Sequence, residues 1–181
     1  PKGSGDPLGL RRSANGVIST ILQANLNIDL QKLCKSDELF KFMMARFNSQ
    51  MQEKFGSEVI NAVLATNSTD LVALHGRMIA LHQLTESENF SSLRTTFKRV
   101  MGLTKEHQSI NYDVTIFQNI AENNLHHQFI GVQDDVSKAI ESQRYFDALQ
   151  SLGGLKDSID TLFDSVMIMD NDEALRNNRL S

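Results

Sequence analysis

Apolar side chains in this 181-residue chain recur every third or fourth position, and strand-like alternation never lasts longer than four residues. Three-and-four spacing marks one face of an α-helix, whereas a half-buried strand alternates. Phe40, Met43, Met44, Phe47, Met51 and Phe55 form one such stripe, and Leu71, Leu74, Met78 and Leu81 form another. Phe90, Leu93, Phe97, Val100 and Met101 extend the pattern over 86–102, and Leu125, Phe129, Val132, Val136 and Ile140 predict a long helix over about 116–143. The fold class expected is all-α, an irregular helical bundle with short connections.

Local signals divide the pattern. Pro1–Gly5 reads as flexible, and Asp6-Pro7 pairs an N-cap acceptor with a residue whose missing N–H costs nothing at the first helical position. That places a helix over about 7–26, with Leu10, Val17, Ile21 and Leu22 inward. Gly9 and Gly16 each weaken an exposed helix by about 1 kcal/mol relative to Ala, and Gly16 suggests the close passage of another backbone. A turn through Ile28, Leu30 and Leu33 leads to Ser36, which caps a second long helix with Asp37 and Glu38 in its first turn. Gly56 should end that helix, and Ser57 and Thr69 should cap the next two. Residues 103–113 lack periodicity and mark a hinge between subdomains of a single 1–181 domain. Helices over 145–152 and 155–166 follow, with Gly153-Gly154 as a C-cap between them. A final helix begins at Asp170-Asn171-Asp172. The start at Pro1 and the stop at Arg179-Leu180-Ser181 within a helical pattern point to a piece excised from a larger chain.

Composition narrows the class. Ten Gly, two Pro and an apolar share of 40% argue against collagen-like, disordered and repeat-rich β chains. Cys34, the single cysteine, excludes an internal disulfide and fits a reducing compartment. No apolar run reaches the roughly 18 residues that span a bilayer, so the expected location is cytoplasmic, without a membrane partner. The net charge of −4 disfavours a nucleic-acid binder, but it is unevenly distributed. Residues 1–105 carry 13 basic and 9 acidic side chains, whereas 106–181 carry 5 and 13. Such a split lets one face attract a polyanion that another repels, although a solvated surface could vary as much by chance.

Catalytic signals are sparse. His75 and His82 stand seven residues apart, without the four-residue spacing by which two imidazoles share a metal, and the adjacent His126 and His127 diverge by about 100°. No glycine-rich phosphate loop follows a strand. Asp170-Asn171-Asp172-Glu173 lacks the glycine and the twelfth-position Glu of a calcium loop and reads as a helix N-terminus. Cys34 reads as a small core residue. No catalytic or metal site is therefore expected. The basic residues are the stronger lead. Arg11 and Arg12 lie on the first helix, and Arg94, Lys98, Arg99 and Lys105 lie beside the 86–102 stripe. Arg94 and Lys98, at i and i+4, repel by a few tenths of a kcal/mol in an isolated helix unless an anion such as phosphate answers them. The competing reading is a solvated face whose long stems cover apolar surface. Arg176 and Arg179 could pair internally with Asp172 or Glu173, and internal pairing is the expected use of at least Arg176.

Longer strings are more specific. Gly3-Ser4, Asp6-Pro7-Leu8, Leu10-Arg11-Arg12 and Gly16-Val17-Ile18 resemble the start of the C-terminal domain of the bacterial-type glycyl-tRNA synthetase beta subunit. Phe97-Lys98-Arg99-Val100 is similar to that family's mid-domain motif. Phe163-Asp164-Ser165-Val166-Met167-Ile168-Met169, then Asp172 to Leu180, resembles its last block. Gly9 departs from the Ala usual before Leu-Arg-Arg.

The resemblance implies an all-helical anticodon-binding domain of the kind shared with arginyl-tRNA synthetase, a class I enzyme. It implies glycine tRNA as a partner, together with the alpha subunit or a fused alpha region and the remaining beta-subunit domains. ATP and magnesium would serve glycine activation elsewhere in the parent glycine-tRNA ligase, with no cofactor in this piece. The tRNA-binding residues expected are Arg11, Arg12, Arg94, Lys98 and Arg99. A helical scaffold for subunit association is the alternative function. Metal-dependent hydrolysis has only the histidine pairs behind it.

Overall fold

The computed structural model describes residue 6 and residues 8–181; the expected flexible opening and the helix-starting role of Pro7 lie outside the described residues. The elements are α1 (Leu10–Gln23), α2 (Leu30–Leu33), α3 (Asp37–Met51), α4 (Ser57–Leu64), α5 (Leu71–Thr85), α6 (Phe90–Thr104), α7 (Ile120–Glu141), α8 (Tyr145–Gly153), α9 (Lys156–Ser165) and α10 (Glu173–Leu180). A 3₁₀ turn, Val114–Ile116, precedes α7. Among the described residues there is no strand, only an isolated bridge between Asp29 and Asp70, so the fold is all-α. Two compact units comprise residues 1–83 and 84–181. The segment 103–113 lies inside the second unit, and the division falls instead near the end of α5.

In the first unit, α1 begins at Leu10 rather than residue 7. Gly9 stands at its N-cap in the left-handed region, φ +68, which glycine enters without a Cβ clash. The Asp6 carboxylate still closes the helix start, accepting from the backbone N–H of Arg11 at 3.2 Å and of Arg12 at 3.1 Å. The inward face is Ala14, Ile18 and Ile21, while Leu10 and Val17 are exposed. Among the described residues a Cβ on Gly16 would meet nothing within 4 Å, so none of their backbone passes close to it. That face of α1 packs with Met43, Phe47 and Met51 of α3 and with α4 and α5, where Leu74 and Met78 are fully buried. Cys34 lies against this cluster, where burial pushes its thiol pKa up, as suits a core residue.

Two of the expected caps change hands. Ser36 caps α3 through Leu39 N–H at 3.2 Å, as the sequence predicts. Asp70, not Thr69, caps α5, accepting from Val72 and Ala73. Thr69 donates its hydroxyl to Asp29 Oδ1 at 2.8 Å, and Leu30 N–H donates to the Thr69 carbonyl, tying the start of α2 to that of α5. Gly56 is the N-cap of α4, and α3 ends earlier, at Met51.

The second unit is built on α7, which packs along α8 and α9, with α6 against α9. Ala139 and Ala148 are buried where small side chains let helices approach closely, and Ala121, Leu162 and Ile168 form a second core with Leu103, Leu125 and Phe163 around it. This core is thin, so Phe129 and Ile140 of the expected α7 stripe remain substantially exposed, as does Met101 of α6. α7 starts at Ile120 behind a reciprocal cap. Asn119 accepts from Ala121 N–H, while Glu122 accepts from the N–H groups of Gln118 and Asn119, each at 2.7 Å.

Candidate nucleic-acid interface

The helical period places Arg94, Lys98 and Lys105 within about 40° of one another around the α6 axis and spreads them over about 16 Å. All three side chains are exposed, and among the described residues none of them enters an ion pair. The buried side of the same helix is turned inward by Thr96, whose hydroxyl donates to Asp160 at 2.7 Å. A row of cations without internal counter-charges suits contact with a phosphate backbone.

Arg99 is displaced from that stripe. Its guanidinium carbon lies 4.1 Å from the centroid of the Phe163 ring, a cation–π stack that fixes the plane of the group. Nearby Asp160 is held below the ordinary carboxylate range by the Lys156 ammonium, at 2.7 Å, then by the Thr96 hydroxyl, with a smaller contribution from Arg99. Arg11 and Arg12 belong to the first unit, where Asp6 engages their backbone N–H groups. The structure thus groups Arg94 and Lys98 with Lys105, sets Arg99 on a neighbouring face of α6, and leaves Arg11 and Arg12 to a separate unit.

Charge does not divide as the linear sequence suggests. The second unit carries 9 basic and 15 acidic side chains and still contains the cationic helix. Several of its acids are committed internally, among them Asp147 to Arg144 at 2.9 Å and Asp160 to Lys156. The pairing with Asp172 or Glu173 expected of Arg176, and open to Arg179, does not occur. Asp172 caps α10 through Ala174 and Leu175, Arg176 donates to the Asp170 carbonyl, and Arg179 binds Glu122 and Asp170, each at 2.8 Å. The side chains of Arg179 and Glu122 are only 6% and 5% exposed. Burial alone would raise the Glu122 pKa, but the hydrogen bond from Arg179 and the two backbone N–H donors outweigh it and hold the carboxyl below its ordinary range.

Beside this pair lies a mostly apolar cavity of about 690 Å³. The segment 106–118 supplies Tyr112 and Phe117, α7 supplies Phe129 and Gln133, and α9 supplies Leu162. Tyr112 stacks on Phe117, with centroids 6.3 Å apart and planes at 10°, and its hydroxyl lies 3.1 Å from His126 Nδ1. Asn178 fastens the segment by accepting from Asp113 N–H at 2.6 Å and donating to the Asp113 carbonyl at 3.1 Å. The histidines of the two pairs are engaged in ring packing. His126 meets Tyr112, Phe117 and His127, while His75 and His82 both meet the edge of Phe55. Among the described residues no three His, Cys, Asp or Glu side chains gather closely enough to hold a metal ion. Among the described residues no helix is long and apolar enough to cross a membrane.

A family model described as glycyl-tRNA synthetase beta subunit matches residues 1–65. The chain is 33% identical over its whole length to the glycine–tRNA ligase beta subunit of Geotalea daltonii, of which it spans 29%. It is 35% identical to that of a Sulfurihydrogenibium species, spanning 27%, and 30% identical to that of Clostridioides difficile, spanning 29%. The chain therefore covers under a third of the length of these relatives.

Proposed function

Because this chain belongs to the glycyl-tRNA synthetase beta-subunit family while spanning under a third of its relatives, we propose that it is the C-terminal anticodon-binding domain of such a subunit. In this role it docks the anticodon arm of glycine tRNA and so helps present the acceptor end to a distant catalytic site. The unpaired stripe of Arg94, Lys98 and Lys105 carries the reading, because exposed cations rigidly spaced on one helix fit phosphates along one strand. Arg11 and Arg12 would add phosphate contacts from the first unit, and Arg99 a contact through its stacked guanidinium.

The parent protein would attach glycine to its tRNA in the cytoplasm, with the alpha subunit or a fused alpha region and the remaining beta-subunit domains as partners. ATP and magnesium would serve the activation step there. In this reading the chain itself contributes tRNA binding, and the activation chemistry belongs to the rest of the parent protein.

The test is titration of the 181-residue chain with a glycine tRNA transcript and an anticodon-swapped transcript at one fixed salt concentration. Tighter binding of the glycine transcript supports the reading, and equal affinities overturn anticodon recognition. A scaffold role in subunit association has the exposed Met101 and Met167, 68% and 70% accessible, in its favour. Native mass measurement of the parent assembly with this region deleted separates the two, because loss of assembly with intact tRNA affinity favours the scaffold.

A further inference from the structure

We propose that the 690 Å³ cavity of the second unit admits one unstacked base of an RNA loop, while Arg99 in the adjoining recess holds the neighbouring phosphate. This inference rests on the tRNA-binding reading above. Its volume lies within the roughly 300–1,000 Å³ of ordinary small-ligand sites. Its wall carries the rings of Tyr112, Phe117 and Phe129, and sequence-specific RNA recognition works by splaying loop bases onto such faces. Phe129 is 40% exposed, so its ring is available to a ligand rather than spent on the core. The buried charges beside the cavity, Glu122 and Arg179, satisfy each other and so do not need solvent in the cavity.

Two uncommitted polar groups define the recognition chemistry. The Gln133 amide lines the cavity and has no hydrogen-bond partner among the described residues. Its oxygen can accept from a cytosine amino group while its N–H donates to the ring nitrogen beside it, a two-bond match to one base edge. The Arg99 guanidinium lies over Phe163, whose ring borders both this cavity and an adjoining recess of about 430 Å³ that Arg99 itself lines. Stacking orients the guanidinium, and among the described residues its in-plane N–H donors bind no acceptor, so they remain free for a phosphate. Arg94 and Lys98 of the same helix continue the backbone track.

The experiment uses the 181-residue chain and anticodon-arm hairpins in which each anticodon nucleotide in turn is replaced by an abasic ribose. One abasic position should bind about tenfold more weakly than the intact hairpin. Phe129→Ala and Gln133→Ala should bring the intact hairpin down toward that level, leave the abasic hairpin unaffected, and preserve the salt dependence. Phe129→Leu, which keeps apolar bulk but removes the ring, should behave like the alanine variant and so excludes a collapsed fold as the cause. If these variants leave the intact hairpin unchanged, or weaken both hairpins equally, while Arg94→Ala plus Lys98→Ala still lowers affinity, the cavity is not a base site and the tRNA-binding reading survives. If no hairpin binds the unmodified chain, both fall.

Discussion

Arg179 Nε donates to Glu122 Oε1 at 2.8 Å across 57 residues of sequence, joining α10 to the first turn of α7 inside the second unit. Glu122 simultaneously accepts two N–H groups at the start of α7, and Arg179 also reaches Asp170 and the Met167 carbonyl. Removing one partner leaves the other charged and desolvated. Glu122→Ala should therefore destabilise the second unit by about 3 kcal/mol, whereas Glu122→Leu with Arg179→Met should cost less than the two single changes together. Urea unfolding followed by circular dichroism measures both, and additive losses would contradict the pairing.

The same carboxylates make stability depend on acid. Glu122 and Asp170 are both held below their ordinary pKa, the latter chiefly by the Asp172 backbone N–H and by Arg179. A group depressed on folding contributes its full stabilisation above the unfolded-state pKa, and that contribution disappears as pH falls toward the folded-state value. The urea midpoint should thus be insensitive to these groups near neutrality and should decline below about pH 4.5. Glu122→Gln should flatten that decline, and an unchanged acid slope would exclude Glu122 as a contributor.

On α6, Arg94→Ala plus Lys98→Ala should lower the slope of log affinity for glycine tRNA against log salt by about 2, one per phosphate contact. Arg144→Ala is the control, because Arg144 is already paired with Asp147 and should leave the slope unchanged. Equal slopes for the double variant and the unmodified chain would remove α6 from the interface.

Two glycines at the start of the chain should respond oppositely to alanine. Gly9→Ala forces a Cβ into a backbone at φ +68 and should cost about 1 kcal/mol. Gly16→Ala fills open space on an exposed helical face and should gain about 0.5–1 kcal/mol. Thermal unfolding of the two variants reads both signs, and a stabilising Gly9→Ala would contradict the left-handed N-cap.

The helices were legible because each stripe repeats locally. The buried spacing of Leu71, Leu74 and Met78 follows directly from the sequence, as does the Ser36 cap. Exposure was less legible, because Leu10, Val17 and Phe129 carry the right residue types but meet no opposing layer. Thr69 and Asp70 are both competent caps, and only the approach of Asp29 decides which of them takes that role. At the candidate interface, Arg94 and Lys98 could be grouped from their spacing alone. The stacking of Arg99 on Phe163 and the pairing of Arg179 with Glu122 join residues 64 and 57 positions apart, and helical periodicity carries no information at that range.

The hold of Asn178 on Asp113 has a consequence for how the protein is made. A ribosome delivers the chain from its N-terminal end, and the cluster containing Ile18, Phe47 and Leu74 has all its members by Leu81. Tyr112 and Phe117 emerge long before the residues that fasten their segment, Asn178 and Arg179, have been translated. During that interval the aromatic wall lacks its tie and Glu122 its counter-ion, so of the two units the second is the one more in need of protection from aggregation.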